Sequence, residues 1–268
     1  MSGATTVRLR RFGRTGNNVL QIIHALAYCE RHGHRLVTGE IPEILPPLEL
    51  DFSGGLARDE RWMTLFYLTA EESEGLKLTH EQRKFLAETY LTPRTCCTAV
   101  SADEGLLTVH LRSGDALRGR HVHKGYVQPP LAFYRRVIED FEFRKILVVT
   151  EPDLSSPALE PLRREYGAEV LAGSVGECYA ALMGARNLCP ALSSFSGTAA
   201  LLSLSLQRLF LVSGKYNFFE MTGPRRPTFC PVVYYALSGY IEAGRWTASP
   251  EQLKEMVAFP LSACRPDS

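Results

Sequence analysis

Three segments of this sequence combine glycine, hydroxyl, amide and charged side chains at points where predicted strands end. The first, Gly13-Arg-Thr-Gly16-Asn17-Asn18, lies between a strand pattern over residues 7–12 and a helical pattern over residues 17–31. A strand, a glycine-containing turn and a helix N-terminus form a cradle for an anion, because free backbone N–H groups and the helix dipole both favour phosphate. A plain strand–turn–helix connection with an asparagine cap explains the same residues equally well.

The second segment is His110-Leu-Arg112-Ser-Gly114-Asp115, at the end of a predicted strand over residues 106–111. A half-buried arginine at a strand end requires an anionic partner, and its guanidinium presents a bidentate fork that suits phosphate. Gly114 allows a sharp turn. Spacing favours equally an internal alternative, in which Arg112 pairs with Asp115 across the turn and His110 is a core histidine with satisfied hydrogen bonds.

The third segment is Ser193-Ser194-Phe195-Ser196, which follows a short strand predicted over residues 187–191. An apolar helix is predicted over residues 197–206, with its first turn near Thr198. One serine is expected to be the N-cap of that helix. Because capping explains only one of the three, the other hydroxyls favour an anion site at this helix end.

Strands and helices alternate along the second half of the chain, which predicts an α/β fold with parallel sheets. In such sheets ligands lie at the carboxyl ends of strands, and all three segments are expected there. The length of 268 residues, 45% of them hydrophobic, allows one large domain or two small ones. The mixed segment 92–104 is the predicted connection between two domains, 1–104 and 105–268.

Composition excludes several classes of protein. A net charge of +1 does not indicate a nucleic-acid or membrane-surface binder. No apolar stretch reaches the roughly 18 residues of a transmembrane helix, and there is no signal-peptide pattern or Asn-X-Ser/Thr acceptor. A cytoplasmic location is the simplest expectation, and a chain trimmed of an N-terminal anchor is the alternative. The seven cysteines lack zinc-site spacing and are expected to be reduced.

The three segments together resemble the motifs of a known family. The first resembles the GRxGNQ opening of the α-1,2-fucosyltransferases, and the second resembles their HxRRGD segment, which protein O-fucosyltransferases and α-1,6-fucosyltransferases share in similar form. The third resembles their SxFSWWAAxL segment, and the order along the chain is the same. The sequence differs in having Asn18 for glutamine, Ser113 for a second arginine, and Gly197-Thr198 for the tryptophan pair.

The resemblance implies a GT-B-like fold of two facing Rossmann-type domains with parallel sheets. Residues 1–104 would form the acceptor side, and residues 105–268 would bind the nucleotide-sugar. It further implies inverting transfer of a sugar to a glycan hydroxyl, without metal or cofactor and with GDP-fucose as the first choice of donor. A UDP- or dTDP-sugar donor, or a non-catalytic nucleotide- or glycan-binding module, remains the alternative. The oligomeric state stays open.

The same resemblance assigns the site residues. Arg112 would hold the β-phosphate, with His110 nearby, and Asp115 is the first choice of base, although it could instead only orient Arg112 or cap the turn. The other candidate bases near strand ends are His121, His123, Glu151 and Asp153. The expected donor-binding residues are Arg112, Gly16, Asn17, Asn18, Ser193, Ser194 and Ser196. Gln128 is added from the loop Tyr126-Val-Gln-Pro-Pro130, a rigid approach to the next helix that could line the donor or acceptor pocket, although Pro-Pro at a helix start is also ordinary punctuation.

Overall fold

The computed structural model describes residues 5–55, 59–63, 77–99, 103–118, 122–223 and 225–267. Within these ranges the chain forms two β-sheets, one of four strands and one of seven. Most neighbouring strands are parallel and are joined through helices. The prediction of an α/β protein with parallel sheets is therefore confirmed.

The smaller sheet has the order β3-β2-β1-β4. Strand β1 lies parallel to both β2 and β4, and β3 pairs antiparallel with β2. The carboxyl end of β1 therefore opens between two parallel neighbours and leads directly into helix α1. The bounds are β1 Thr5–Leu9, α1 Thr15–His32, β2 Arg35–Thr38, β3 Leu48–Asp51 and β4 Asp59–Met63.

The larger sheet has the order β11-β10-β9-β8-β5-β6-β7, in which β11 alone among the described strands is antiparallel to its neighbour. The chain runs outward in one direction from β5 through β7 and in the other from β8 through β11. The strand order thus reverses between β5 and β8, where ligands bind in open α/β sheets. The strands are β5 Leu106–Leu111, β6 Lys145–Thr150, β7 Glu169–Leu171, β8 Asn187–Cys189, β9 Arg208–Val212, β10 Val232–Leu237 and β11 Cys264–Asp267.

Of the seven α-helices described after α1, the first precedes the larger sheet and the other six connect its consecutive strands. The seven helices are α2 His80–Leu86, α3 Leu131–Asp140, α4 Leu159–Tyr166, α5 Val175–Gly184, α6 Ser194–Leu202, α7 Phe218–Thr222 and α8 Pro250–Ala258. Among the described helices, none is both long and apolar enough to cross a membrane.

Side chains of helix α1 pack in a core shared by the two sheets. Val19, Ile22 and Leu26 are fully buried, as their helical spacing predicts, and Gly33 ends the helix in the left-handed conformation at φ 62°. The core that contains them also includes Leu188 and Leu201 from the larger sheet and its helix α6. The hydrophobic core therefore runs without a break from one sheet to the other, and the boundary at residue 104 stays a prediction.

Several predicted element bounds were wrong. Strand β1 ends at Leu9 rather than residue 12, after a last bond from the Arg10 N–H to the Met63 carbonyl. Helix α6 begins at Ser194 rather than near Thr198, because Ser193 is the N-cap. It ends at Leu202, where Ser203 turns to extended backbone. Beyond residue 212, α7, β10, α8 and β11 were not predicted, and of the segment 92–104 residues 100–102 lie outside the described ranges.

Candidate functional site

The three sequence segments meet at one cavity of about 630 Å³. Residues 12–17 after β1 contribute to its wall, as do residues 192–195 after β8 and, at the end of β5, His110, Arg112 and Asp115. The end of β6, the start of α5 and helix α7 complete the wall. The cavity therefore lies at the carboxyl ends of strands from both sheets, as the parallel topology predicts.

Arg112 is the central charged group of this cavity. Its side chain is only 13% exposed, and its Nη1 donates to the Ser193 hydroxyl at 3.3 Å. Its Nε lies 3.0 Å from a Glu151 carboxylate oxygen, close enough for an ion pair although not aligned as a hydrogen bond. Burial lowers the pKa of Arg112, and the charge of Glu151 opposes that shift. Arg112 thus remains a fixed cation whose donors face a hydroxyl and two carboxylates.

Asp115 supplies the second carboxylate and joins the two sheets. One of its oxygens contacts Arg112 Nη2, and the other contacts Nη2 of Arg14, the N-cap residue of α1. This arrangement contains the predicted internal pair between Arg112 and Asp115 and adds a second arginine to it. Both oxygens of Asp115 therefore face guanidinium groups in this state.

The turn that carries Arg112 is held by side chains of the β6 end. The Ser113 N–H donates to Glu151 at 2.6 Å, and Gly114, at φ 54°, donates its N–H to Asp153 at 3.0 Å. The Ser113 hydroxyl is fully buried and lies 3.0 Å from the Thr150 hydroxyl. Position 113 therefore points into the protein, and a second arginine there would not reach the cavity without rebuilding the turn.

His110 lies at the end of β5, two positions before Arg112. It is 3% exposed, and its ring centroid is 5.8 Å from that of Phe195 on α6. Burial, aided by the neighbouring Arg112 charge, lowers the pKa of His110 to about 3, so the ring is neutral at physiological pH. Its Nδ1 is buried without a hydrogen-bond partner among the described residues. The neutral ring nevertheless forms part of the cavity wall.

The N-termini of α1 and α6 meet at the cavity. A Cβ on Gly16 would lie 2.3 Å from the Ser194 carbonyl carbon, so only glycine permits this contact. The Ser194 hydroxyl donates to the Asn17 side chain at 2.6 Å across the junction. Among the described residues α1 has no side-chain cap, α6 is capped only by the Ser193 hydroxyl, and neither first turn contains an acidic residue. Backbone N–H groups of both ends thus remain available for an anion.

Helix α5 also begins at the cavity, but its N-terminus is already occupied. Ser174 and Glu177 form a capping box. Glu43, from the segment between β2 and β3, accepts the Gly176 N–H at 2.9 Å. That hydrogen bond, followed by one from Ser174, lowers the pKa of Glu43. Two carboxylates therefore neutralise this helix end, and it offers little to an additional anion.

Three of the expected donor-binding residues lie outside the cavity wall. Asn18 donates to the Gly13 carbonyl at 3.4 Å and holds the turn. Ser196 is fully buried, with its hydroxyl 3.4 Å from the Ala191 carbonyl, because a helix that starts at Ser194 turns this position inward. Gln128 is buried and donates to the Tyr126 carbonyl at 2.9 Å. None of these three side chains lines the cavity in this structure, and their role in donor binding stays a prediction.

The remaining candidate bases are also engaged or lie elsewhere. Glu151 is held by Arg112 and the Ser113 N–H, and Asp153 accepts from the Gly114 N–H and the Ser155 hydroxyl. His123 lines the cavity, but its Nδ1 accepts the Gly125 N–H at 3.2 Å, which leaves its proton on Nε2. His121 lies outside the described residues.

Sequence reasoning missed two contributors to the wall. Arg14 stands inside the first motif, but only the approach of α1 to β5 reveals that it pairs with Asp115. Phe218 packs on Gly197, where an added Cβ would lie 2.1 Å from the ring. An aromatic side chain from α7 thus covers the part of α6 where the resembled family carries its tryptophan pair. In the sequence, the sign of this packed aromatic side chain was the glycine at position 197.

The fold and the site define a mixed α/β protein with an arginine-centred ligand cavity at the carboxyl ends of its strands. In the part of the chain that is described, no group of three or more His, Cys, Asp or Glu side chains is placed to hold a metal ion.

The similarity of this chain to known proteins is distant. No protein-family model and no curated protein matches the sequence. Solved structures of POFUT1, a fucosyltransferase, are similar to this chain. The complex with GDP is 12% identical, covers 75% of this chain and 94% of its own, and has a TM-score of 0.43. The complex with GDP-fucose is 10% identical over 74% and 94%, with a TM-score of 0.45. The apo form is 12% identical over 74% and 94%, also at 0.45.

Proposed function

We propose that this protein is a fucosyltransferase-like glycosyltransferase that moves a sugar from a nucleotide-sugar to a glycan hydroxyl. It inverts the anomeric centre and uses neither metal nor cofactor, and GDP-fucose is the first candidate donor. The observation that carries the proposal is the convergence on one cavity of a buried arginine, a hydroxyl cap and two open helix N-termini.

These groups suit a leaving nucleoside diphosphate. When the bond from the sugar to the β-phosphate breaks, negative charge develops on the phosphate oxygen. Arg112, the Ser193 hydroxyl and the N–H groups at the starts of α1 and α6 face the region where that charge would lie. Donors fixed in advance in a partly buried site are effective because they need no reorganisation, and each is worth about 100-fold or more in rate.

The size and polarity of the cavity support a nucleotide-sugar. Its volume of about 630 Å³ falls within the range of pockets for ligands of that class. Besides the charged groups, Val175, Phe218 and Met221 contribute apolar surface to the wall for a base or sugar face. GDP-fucose is preferred over UDP- and dTDP-sugars because of the motif resemblance.

A non-catalytic nucleotide-binding module is the second candidate. It is favoured by one observation, namely that both carboxylates beside Arg112 are engaged by their neighbours. A binding module needs the phosphate site but no free base.

Calorimetry with GDP-, UDP- and dTDP-sugars separates these possibilities. We expect binding of one donor, preferably GDP-fucose, followed by slow hydrolysis that persists in EDTA. Binding without any hydrolysis would favour the module, and strict dependence on Mn²⁺ would refute the metal-free mechanism.

A further inference from the structure

Asp115 occupies the place between two arginines that suits a donor phosphate. Its carboxylate contacts Arg112 from its own turn and Arg14 from the start of α1, 101 positions away in the chain. With Glu151 beside Arg112, the cluster contains two cations and two carboxylates and has no net charge. A nucleoside diphosphate therefore gains the full attraction of both arginines only when one carboxylate withdraws.

The two carboxylates differ in how firmly they are held. The side chains of Asp115 and Arg14 are 54% and 65% exposed, and such solvent-exposed pairs contribute little to stability. The Glu151 side chain is 31% exposed, pairs with the buried Arg112, and also accepts the Ser113 N–H. Displacing Glu151 would break its hydrogen bond from the Ser113 backbone N–H as well as its pair with the buried Arg112, whereas displacing Asp115 breaks pairs made by an exposed carboxylate. Asp115 is therefore the carboxylate that a diphosphate displaces.

We propose that Asp115 is a donor-released latch. In the free protein it holds Arg14 and Arg112 together, and in the complex the diphosphate takes its place and frees its carboxylate to act as the base. This inference rests on the proposed glycosyltransferase function. It accounts for a cavity in which every described carboxylate is engaged, because the base becomes available only after the donor has bound.

The proposed transfer step exchanges one bond at the anomeric carbon for another. The acceptor oxygen forms a bond to the anomeric carbon while the bond from that carbon to the β-phosphate oxygen breaks. The electron pair of the broken bond stays on the nucleoside diphosphate, which faces Arg112 and Arg14. The proton of the acceptor hydroxyl, or of water during hydrolysis, passes to the released Asp115 carboxylate.

The test compares the wild type with Asp115→Asn and Glu151→Gln. GDP affinity is measured by calorimetry, and turnover is measured as hydrolysis of GDP-fucose. If the latch is closed roughly nine-tenths of the time, Asp115→Asn binds GDP about tenfold more tightly. The same variant hydrolyses GDP-fucose roughly a hundredfold more slowly, because the base is lost. Glu151→Gln is the matched control, since it removes the same charge from the same arginine and leaves the latch in place.

GDP affinity and GDP-fucose hydrolysis of the three proteins test the latch and the base separately. Weaker GDP binding in Asp115→Asn would mean that the residue only supports the turn. Equally tighter GDP binding in both variants would mean that the gain in affinity comes only from the loss of one negative charge. Either result would contradict the latch. Normal hydrolysis of GDP-fucose by Asp115→Asn would contradict the role of Asp115 as the base. Failure of all three proteins to bind GDP would instead count against the proposed donor, and the latch as stated would fail with it.

Discussion

The N-termini of α1, α5 and α6 all lie at the cavity, but they fall into two kinds. At the α1–α6 junction neither first turn contains a carboxylate among the described residues, and the nearby Asp115 side chain is exposed and held by arginines. At α5, by contrast, Ser174, Glu177 and Glu43 already satisfy the backbone N–H groups. A helix N-terminus is thus an anion site only where the chain has not supplied its own anion. The α1–α6 junction is open and the α5 end is closed.

The largest expected effect comes from removing the cation at the open junction. Arg112→Ala should reduce transfer or donor hydrolysis at least about a hundredfold, because it removes the principal donor to the leaving phosphate. Steady-state kinetics with the bound donor measure the loss. Arg135→Ala is a matched control, since it also breaks an arginine–carboxylate pair, with Glu165, away from the cavity. Near-normal activity in Arg112→Ala would refute the assignment of the open junction as the phosphate site.

Next in size is the effect of forcing the open junction apart. Gly16→Val places side-chain atoms where the Ser194 and Phe195 backbone now lies. Overpacking of this kind costs about 1–3 kcal/mol in the free energy of unfolding, and GDP binding should weaken because the two helix ends separate. Denaturant unfolding and calorimetry measure the two effects. Gly55→Ala is the control, since an added Cβ there meets no atom within 4 Å. Unchanged GDP binding in Gly16→Val would show that the helix contact is dispensable.

The smallest expected effect lies at the closed end. Glu43→Gln should leave GDP affinity nearly unchanged but lower the melting temperature at neutral pH, because the ionised carboxylate accepts the Gly176 N–H. The lowered pKa of Glu43 means that its contribution is complete above its ordinary pKa and is lost as pH falls through the lowered folded-state value. The difference in melting temperature between the two proteins should therefore disappear in acid. A large change in GDP affinity would contradict the division into open and closed ends.

Much of the fold followed from local patterns. The alternation of strands and helices along the second half of the chain predicted a parallel sheet, and strands β5 to β9 form one. The spacing of Val19, Ile22 and Leu26 predicted the buried face of α1. Ser193 took the expected role of N-cap, but which serine would do so depended on a helix start that periodicity locates only within a few residues. The position of Ser196 depended on the same helix start, since a helix that begins at Ser194 buries the Ser196 hydroxyl.

What the sequence by itself determined was the type of each major element and the presence of glycine, hydroxyl and arginine side chains at strand ends. Both follow from short-range periodicity and turn chemistry. Only the tertiary structure decided which of these side chains meet. The reversal of strand order between β5 and β8 sets Arg112 against Ser193, and the approach permitted by Gly16 brings Arg14 to Asp115. Such contacts join residues about a hundred positions apart, and no local spacing encodes them, because they depend on how the sheets pack.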